Sequence, residues 1–176
     1  MAAWETRRRC LVYENPILQL LEETIRTSAG QESPWTVVAI ADGVALAPCH
    51  EDGSVTMIRQ YRHAAGRWLW EFPAGRVEGG EDVLAAGKRE LAEEVGLCAG
   101  RLEFLGCLHP LAGICRHQIH LLRAGDLEET AMAHEPFEEM EVVRLTRKEL
   151  RRLVDAGDVT DGIALGLIQR LHLLET

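Results

Sequence analysis

The alternation of apolar and polar positions divides the first half of the chain into short strands. Asn15-Pro16, Asp42-Gly43 and Asp52-Gly53 are turn signals, and each separates two apolar runs. Asp-Gly between two such runs is typical of a hairpin. The run at residues 35–40 (WTVVAI) is also rich in residues that favour strands. The pattern predicts two short strands within residues 7–26 and further strands at residues 35–40, 44–48, 55–60 and 68–72.

A period typical of an amphipathic helix follows between residues 82 and 95. Leu84, Leu91 and Val95 are seven and four positions apart, so their side chains lie along one stripe. Gly96 stands where a helix C-cap is favoured. The other predicted elements are a loop at residues 73–80, strands near residues 101–107, 118–124 and 141–145, and helices at residues 147–156 and about 161–174.

The order of these elements is strands, one helix, strands and then helices, which predicts a mixed α and β fold rather than a regular βαβ repeat. A chain of 176 residues fits one domain with a small appendage. No apolar run approaches the length of a membrane span. The residues after the N-terminal arginines are too polar for a signal-peptide core. We therefore expect a cytoplasmic protein with no membrane partner.

The charge balance restricts the possible ligands. The formal net charge is −9, from 28 acidic and 19 basic residues. This argues against a nucleic-acid partner, because binding a phosphate backbone needs a basic face. An anionic small molecule would also be repelled unless divalent cations or local arginines reverse the field at its site. The five scattered cysteines form no CxxC pair and are expected to be free, buried thiols.

Three carboxylates crowd one face of the predicted helix. Glu90 and Glu94 are four positions apart, and Glu93 is three from Glu90. Arg89, four positions before Glu93, relieves part of the repulsion. Beside a glycine-rich loop, such a patch offers hard oxygen donors for Mg²⁺ or Mn²⁺. A divalent ion there suits cleavage of a P–O–P bond, although spacing alone leaves open a plain solvated helix face.

The stretch from Gly75 to Leu97, GRVEGGEDVLAAGKRELAEEVGL, resembles the Nudix box, Gly-x5-Glu-x7-Arg-Glu-apolar-x-Glu-Glu-x-Gly-apolar, at every position. The resemblance implies an α/β fold of the Nudix kind, an α/β/α sandwich with a mixed sheet. It also implies that Glu90, Glu94 and the carbonyl of Ala74 bind Mg²⁺ or Mn²⁺.

The same resemblance implies roles for three further residues of the box. Glu93 is expected in or near the metal shell, as a catalytic residue. Glu81 and Arg89 are expected to fix the loop against the helix rather than to act in catalysis.

Two flanking segments, residues 58–63 (IRQYRH) and 70–75 (WEFPAG), resemble the ADP-ribose pyrophosphatase branch of that family. Arg59 and Arg62 alternate with neighbours on a strand, and arginine binds phosphate bidentately. These two arginines and Glu71 are therefore the predicted substrate-binding residues. The open alternatives are that the arginines are surface charges or ion-pair partners, and that Glu71 is a structural partner.

The branch implies a division of the chain into an N-terminal β segment, residues 1–42, and a Nudix hydrolase domain, residues 43–176. In this branch such N-terminal strands form a small subdomain that exchanges with a partner chain, so we expect a homodimer. Trp35 is expected to be a core or interface residue, or else to stack on a base.

A further acid is expected from the loop at residues 134–141, as general base or extra ligand. The resemblance favours Glu138, with Glu135 and Glu139 as alternatives. One segment departs from the branch, because residues 111–117 read LAGICRH. In the branch this loop borders the substrate. The departure therefore leaves open a sugar other than that of ADP-ribose, or a phosphorylated group, for which Arg116 and His117 are the added residues.

These observations predict Mg²⁺-dependent hydrolysis of the pyrophosphate of a nucleoside diphosphate derivative, with ADP-ribose cleaved to AMP and ribose 5-phosphate. The alternatives are another nucleotide sugar, such as GDP-mannose, or a non-catalytic sensor of nucleotide sugars. A sensor is less expected, because every glutamate of the box is present.

Overall fold

The structure, a computed structural model, describes residues 4–132 and 139–175. Eleven strands and three helices occur within these ranges. In chain order they are β1 (Glu5–Glu14), β2 (Leu18–Arg26), β3 (Glu32–Ile40), β4 (Gly43–Pro48), β5 (Val55–Arg62), β6 (Arg67–Glu71), β7 (Ala74–Arg76), α1 (Val83–Val95), β8 (Leu97–Leu108), β9 (Cys115–Arg116), β10 (Ile119–Glu129), β11 (Met140–Leu145), α2 (Arg147–Asp155) and α3 (Gly162–Arg170).

The chain forms two compact units. The first unit comprises Met1–Asp42 and His109–Gln118, and the second comprises Gly43–Leu108 and Ile119–Thr176.

The first unit is one four-stranded sheet in the order β1-β2-β3-β9. β1, β2 and β3 pair antiparallel, and β9 pairs parallel with β3. Leu21, Ile25 and Val37 supply its buried apolar side chains, whereas every residue of β1 is exposed. This sheet therefore has one edge strand with both faces in solvent in the single chain.

The second unit carries helices on both faces of a mixed sheet. β10 pairs parallel with β4 and antiparallel with β8, in the order β7-β4-β10-β8, and β11-β5-β6 form a further antiparallel sheet. Neighbouring residues point to opposite faces, so Leu122 packs with Leu91 of α1, whereas Leu121 packs with Leu150 of α2 and Leu167 of α3. Two separate apolar clusters hold the helices against the strands.

The cap residues of α1 account for its limits. Asp82 is the N-cap, and its side chain accepts hydrogen bonds from the backbone N–H groups of Leu84 and Ala85. Gly96 ends the helix with φ 62°, a left-handed conformation that costs glycine least. α1 thus begins and ends where the sequence predicts.

The predicted mixed α and β fold is confirmed, and the differences are local. β7 lies in the segment predicted to be loop, β9 was not expected, and α3 ends at Arg170, because residues 171–174 form turns. The cysteines are free, but none is fully buried as expected: Cys10 and Cys98 are exposed, and Cys49, Cys107 and Cys115 are of intermediate exposure. In the part of the chain that the structure describes, no helix has both the length and the apolar character that crossing a bilayer requires.

Candidate active site

The buried face of α1 carries two carboxylates as well as apolar side chains. Glu90 is 8% exposed and Glu94 is 4% exposed. Their spacing of four positions places them one above the other on that face. An ionised carboxylate with so little access to water must be paired or must coordinate a cation.

The strand β7 brings main-chain groups against both carboxylates. The Ala74 N–H donates to Glu94 Oε2 at 2.8 Å. A Cβ atom at Gly75 would overlap the Glu90 carboxylate, so only glycine allows this approach. β7 is itself held by β4, because Ala45 and Val44 pair with Ala74 and Gly75. The three predicted metal ligands, Ala74, Glu90 and Glu94, are therefore neighbours.

Arg89 connects the loop to the helix through its guanidinium. It donates to both oxygens of Glu81, at 3.2 and 3.1 Å, and to the Arg76 carbonyl at 2.9 Å. It also donates to Glu90 at 2.7 Å and Glu93 at 3.1 Å. The hydrogen bonds that Arg89 donates to Glu81 are the largest cause that raises the pKa of Arg89. The contacts with Glu81 are those expected from the sequence.

The residues present fit a divalent cation. Glu81, Glu90, Glu93 and Glu94 lie with a single guanidinium, Arg89, so the formal charge of this group is −3. In residues 4–132 and 139–175, no three His, Cys, Asp or Glu side chains are arranged to hold a metal ion. Two carboxylates and a main-chain carbonyl match the small number of protein ligands that Mg²⁺ takes when water and substrate complete its shell.

Arg62 and Glu71 form a bidentate ion pair across β5 and β6. The Nε–Oε1 distance is 2.9 Å, and the Nη2–Oε2 distance is 2.6 Å. Glu71 is 7% exposed. The hydrogen bonds that Arg62 donates to Glu71 are the largest cause that raises the pKa of Arg62, and the charges of Glu94 and Asp161 also raise it. Glu71 therefore has a structural partner, and Arg62 lies within electrostatic reach of the α1 carboxylate.

Arg59 has different neighbours from Arg62. Its guanidinium lies 5.6 Å from the centre of the Trp68 ring and 3.6 Å from Glu141 Oε2. Residues three apart on a strand point to opposite faces, so the two arginines do not converge on one point. Arg59 is half exposed, and these two contacts with described residues are long.

The structure adds Asp161, which sequence reasoning missed. Its carboxylate caps α3 by accepting from the Ala164 N–H at 2.7 Å. Burial raises the pKa of Asp161, and the charge of Glu71 raises it further. An aspartate directly before a helical run is a cap signal, but the sequence gives no sign that this cap lies near the Arg62–Glu71 pair.

Two of the three candidate bases cannot be placed. Glu135 and Glu138, the favoured one, lie outside the described residues, which resume at Glu139. The Glu139 carbonyl accepts from the Tyr61 N–H at 3.3 Å, and its side chain is exposed.

Three other residues noted in the sequence lie in the first unit. Arg116 Nη2 donates to Glu23 Oε1 at 2.9 Å, and His117 Nδ1 lies 2.7 Å from the Ala41 carbonyl. Both therefore have structural contacts within this unit. Trp35 is 41% exposed and meets Trp4 edge to face, with 5.8 Å between ring centroids.

Comparison with known proteins gives consistent results. The model of the NUDIX domain matches residues 40–161. The chain is 30% identical over 176 residues to the ADP-ribose pyrophosphatase of Mycobacterium tuberculosis (strain ATCC 25618 / H37Rv), covering 98% of this chain and 85% of that protein. It is 27% identical over 166 residues to the ADP-ribose pyrophosphatase of Bacillus subtilis (strain 168), covering 93% and 90%.

A solved structure described as an ADP compounds hydrolase superposes with a TM-score of 0.85. The match covers 98% of this chain and 94% of the other, at 20% sequence identity. At this identity the likeness concerns the fold.

Proposed function

The chain belongs to the Nudix family and is a hydrolase of pyrophosphate bonds, and from that premise we propose that its substrate is ADP-ribose, cleaved to AMP and ribose 5-phosphate with Mg²⁺. Mn²⁺ is an alternative ion. The relatives named as ADP-ribose pyrophosphatases match nearly the whole chain. The same substrate is implied by the segments at residues 58–63 and 70–75.

The observation that carries this proposal is the approach of β7 to α1. Glu90, Glu94 and the Ala74 carbonyl would hold the ion at the point where Gly75 leaves room. When bound, the ion neutralises charge on the diphosphate and polarises a phosphoryl oxygen. Arg89 holds β7 against α1, because it donates hydrogen bonds to the Arg76 carbonyl on β7 and to Glu90 on α1.

We assign the remaining roles from charge and from the family resemblance. Arg62 uses Nε and Nη2 for Glu71, and we assign its third nitrogen, Nη1, to a diphosphate oxygen. Arg59 points to the opposite face of β5 from Arg62 and lies beside Trp68 and Glu141, so we do not assign it to the same diphosphate. Glu93 accepts a hydrogen bond from substrate-bound water near the ion. Glu138 is the general base that takes the proton of the attacking water.

A panel of ADP-ribose, ADP-glucose and GDP-mannose tests the substrate. Products are identified by mass spectrometry, with Mg²⁺, with Mn²⁺ and with EDTA. We expect AMP and ribose 5-phosphate from ADP-ribose, at the highest kcat/KM of the three, and no turnover in EDTA. Faster cleavage of GDP-mannose would transfer the assignment to that sugar nucleotide, and metal-independent turnover would contradict the ion's role.

Glu94→Gln tests the ligand assignment. Loss of groups that only support a metal ligand typically costs about 10- to 100-fold, so we expect loss of the ligand itself to lower kcat/KM by more than about 100-fold. Glu128→Gln is the matched control, because this exposed glutamate on β10 lies outside the site. Circular dichroism checks that both variants are folded. Activity retained in the Glu94 variant would remove it from the ligand set.

We also propose that residues 1–42 mediate homodimerisation. The support is the exposed strand β1, with Leu11, Val12 and Tyr13 each about half exposed in the single chain.

A further inference from the structure

The second unit contains a cavity of about 400 Å³ on which three arginines converge. Arg101, Arg123 and Arg147 come from β8, β10 and α2, and Cys49 and Leu173 also line it. Small-molecule sites in proteins have volumes of roughly 300–1,000 Å³. The cavity therefore has room for a ligand about as large as a mononucleotide.

This cavity is separate from the metal-binding face of α1. His120 on β10 is opposite Val44, and Val44 pairs with Gly75. Arg123 is three residues farther along the strand, a rise of about 10 Å. Its side chain alternates with that of Leu122, which packs towards α1, and points to the face of Leu121, which packs with α3. The cavity thus lies farther along the sheet and on its other face.

The three guanidiniums are held only loosely. Arg101 Nη2 and Arg123 Nη1 are each 3.8 Å from the same oxygen, Glu103 Oε2. Arg147 Nη1 is 3.5 Å from two main-chain carbonyls, those of His172 and Leu173. Strong arginine–carboxylate bonds measure about 2.7–2.9 Å. Among the described residues their contacts with oxygen acceptors are therefore long, and each guanidinium keeps donors for a closer acceptor.

The contrast with other arginines of this chain is clear. Arg62, Arg9 and Arg144 reach their carboxylates at 2.6, 2.6 and 2.9 Å. Arg7 and Arg59 make longer contacts, at 3.5 and 3.6 Å, and the 3.8 Å contacts of Arg101 and Arg123 are the longest arginine–carboxylate contacts among the described residues. The geometry leaves the Arg123 and Arg147 donors for an added anion.

Cys49 lies next to both of these guanidiniums and does not neutralise them. Burial raises the pKa of the Cys49 thiol. This effect is larger than the lowering of the pKa by Arg123 and Arg147. The thiol therefore stays protonated at neutral pH, and the positive charges beside it are not compensated by a thiolate.

We propose that this cavity is a binding site for a small phosphate monoester. Arg123 and Arg147 bind the phosphate oxygens, a group for which the planar guanidinium fork is suited. Glu51 and Asp126, at the lining of the cavity, accept hydrogen bonds from hydroxyl or amino groups of the ligand. The proposal does not depend on the substrate of the hydrolase.

Calorimetric titration of the full chain with AMP tests the proposal, with EDTA present so that binding through divalent ions is absent. Adenosine is the matched ligand, because it lacks only the phosphate. We expect AMP to bind at one saturable site and adenosine not to bind. Arg123→Ala and Arg147→Ala should each weaken AMP at least about tenfold, since each removes charge-assisted hydrogen bonds.

Arg151→Ala is the control variant, because it removes an exposed arginine of α2 that does not line the cavity, and its affinity for AMP should equal that of the wild type. Arg123→Lys replaces Arg123→Ala if the alanine variant does not fold. It keeps the positive charge but not the planar guanidinium, and should weaken the affinity for AMP several-fold. Either of two results overturns the proposal: no saturable AMP binding to the wild type, or unchanged affinity in the Arg123 and Arg147 variants.

Discussion

At the scale of single residues, Gly75 determines how closely the loop approaches the helix. Its backbone lies against the Glu90 carboxylate, where any side chain would collide. Arg89 also donates a hydrogen bond to the Glu90 carboxylate, at 2.7 Å. One absent side chain and one guanidinium thus set the position of the proposed metal ligand.

Gly75→Ala should therefore impair hydrolysis while the protein stays folded. The added methyl group must displace Glu90 or β7, and a displacement of about 1 Å in an active site can cost about 100-fold in rate. Measured kcat/KM for ADP-ribose gives the effect. Gly79→Ala, in the same loop but with open space around its Cβ, should retain near-wild-type activity. Equal activities in the two variants would count against the close approach.

Glu23→Gln should destabilise the protein in a pH-dependent way. Burial alone would raise the pKa of Glu23, but hydrogen bonds from Arg116 and Arg9 outweigh it and lower the pKa. The ionised form therefore stabilises the fold above the ordinary glutamate pKa of 4.5. This contribution is lost as the pH falls through the lowered pKa of the folded state.

Urea unfolding of the wild type and Glu23→Gln at pH 7 and pH 3 measures this difference. We expect a lower free energy of unfolding for the variant at pH 7 and a smaller difference at pH 3. Glu22→Gln, which alters the exposed neighbour, should show little change at either pH. A difference that does not vary with pH would falsify the linkage.

Sequence alone predicted which side chains share the buried face of α1, but not which partners the neighbouring arginines have. The spacing of Glu90 and Glu94 follows from the period of one helix, whereas the contacts of Glu94 with Ala74 and of Glu90 with Gly75 depend on how β7 packs against that helix. By contrast, Arg62–Glu71 and Arg116–Glu23 join separate strands. Nothing in the spacing along the chain determines which carboxylate a given arginine meets across a sheet.

At the scale of elements, the N-cap Asp82 stabilises α1, the helix that carries the proposed metal ligands Glu90 and Glu94. Asp82→Ala removes the acceptor of two backbone N–H groups and should lower the free energy of unfolding by about 1 kcal/mol. Asp82→Asn, which keeps an acceptor, should change it by much less. Urea unfolding compares the two. A loss of the same size in both variants would show that charge, rather than capping, is responsible.

The elements themselves were predictable where a local signal exists. Asp82 and Gly96 mark the limits of α1. Asp52-Gly53 marks a turn between β4 and β5, but these strands lie in different sheets and a single bridge, Cys49 to Val55, replaces the predicted hairpin. β7 and β9 have three and two residues, too few for a period to show. They form because a neighbouring strand offers free main-chain groups, and this is a tertiary effect.

At the scale of the whole molecule, the proposed dimer makes a prediction about mass. Sedimentation equilibrium should give twice the chain mass of 19.6 kDa. Val12→Asp, on the exposed strand β1, should shift the protein to the monomer, because a charge would be buried in the interface. Leu165→Asp changes a similarly exposed apolar residue in the second unit and should leave the dimer intact. A monomeric wild type would refute dimerisation.

The ion pair between Arg116 and Glu23 also has a consequence for the nascent chain during translation. The two residues are 93 positions apart, and a ribosome adds about 5–20 residues per second. Arg116 is therefore synthesised roughly 5–20 s after Glu23. Until then β1, β2 and β3 lack the fourth strand of their sheet, β9. An N-terminal fragment that stops at residue 42 does not contain β9 at all.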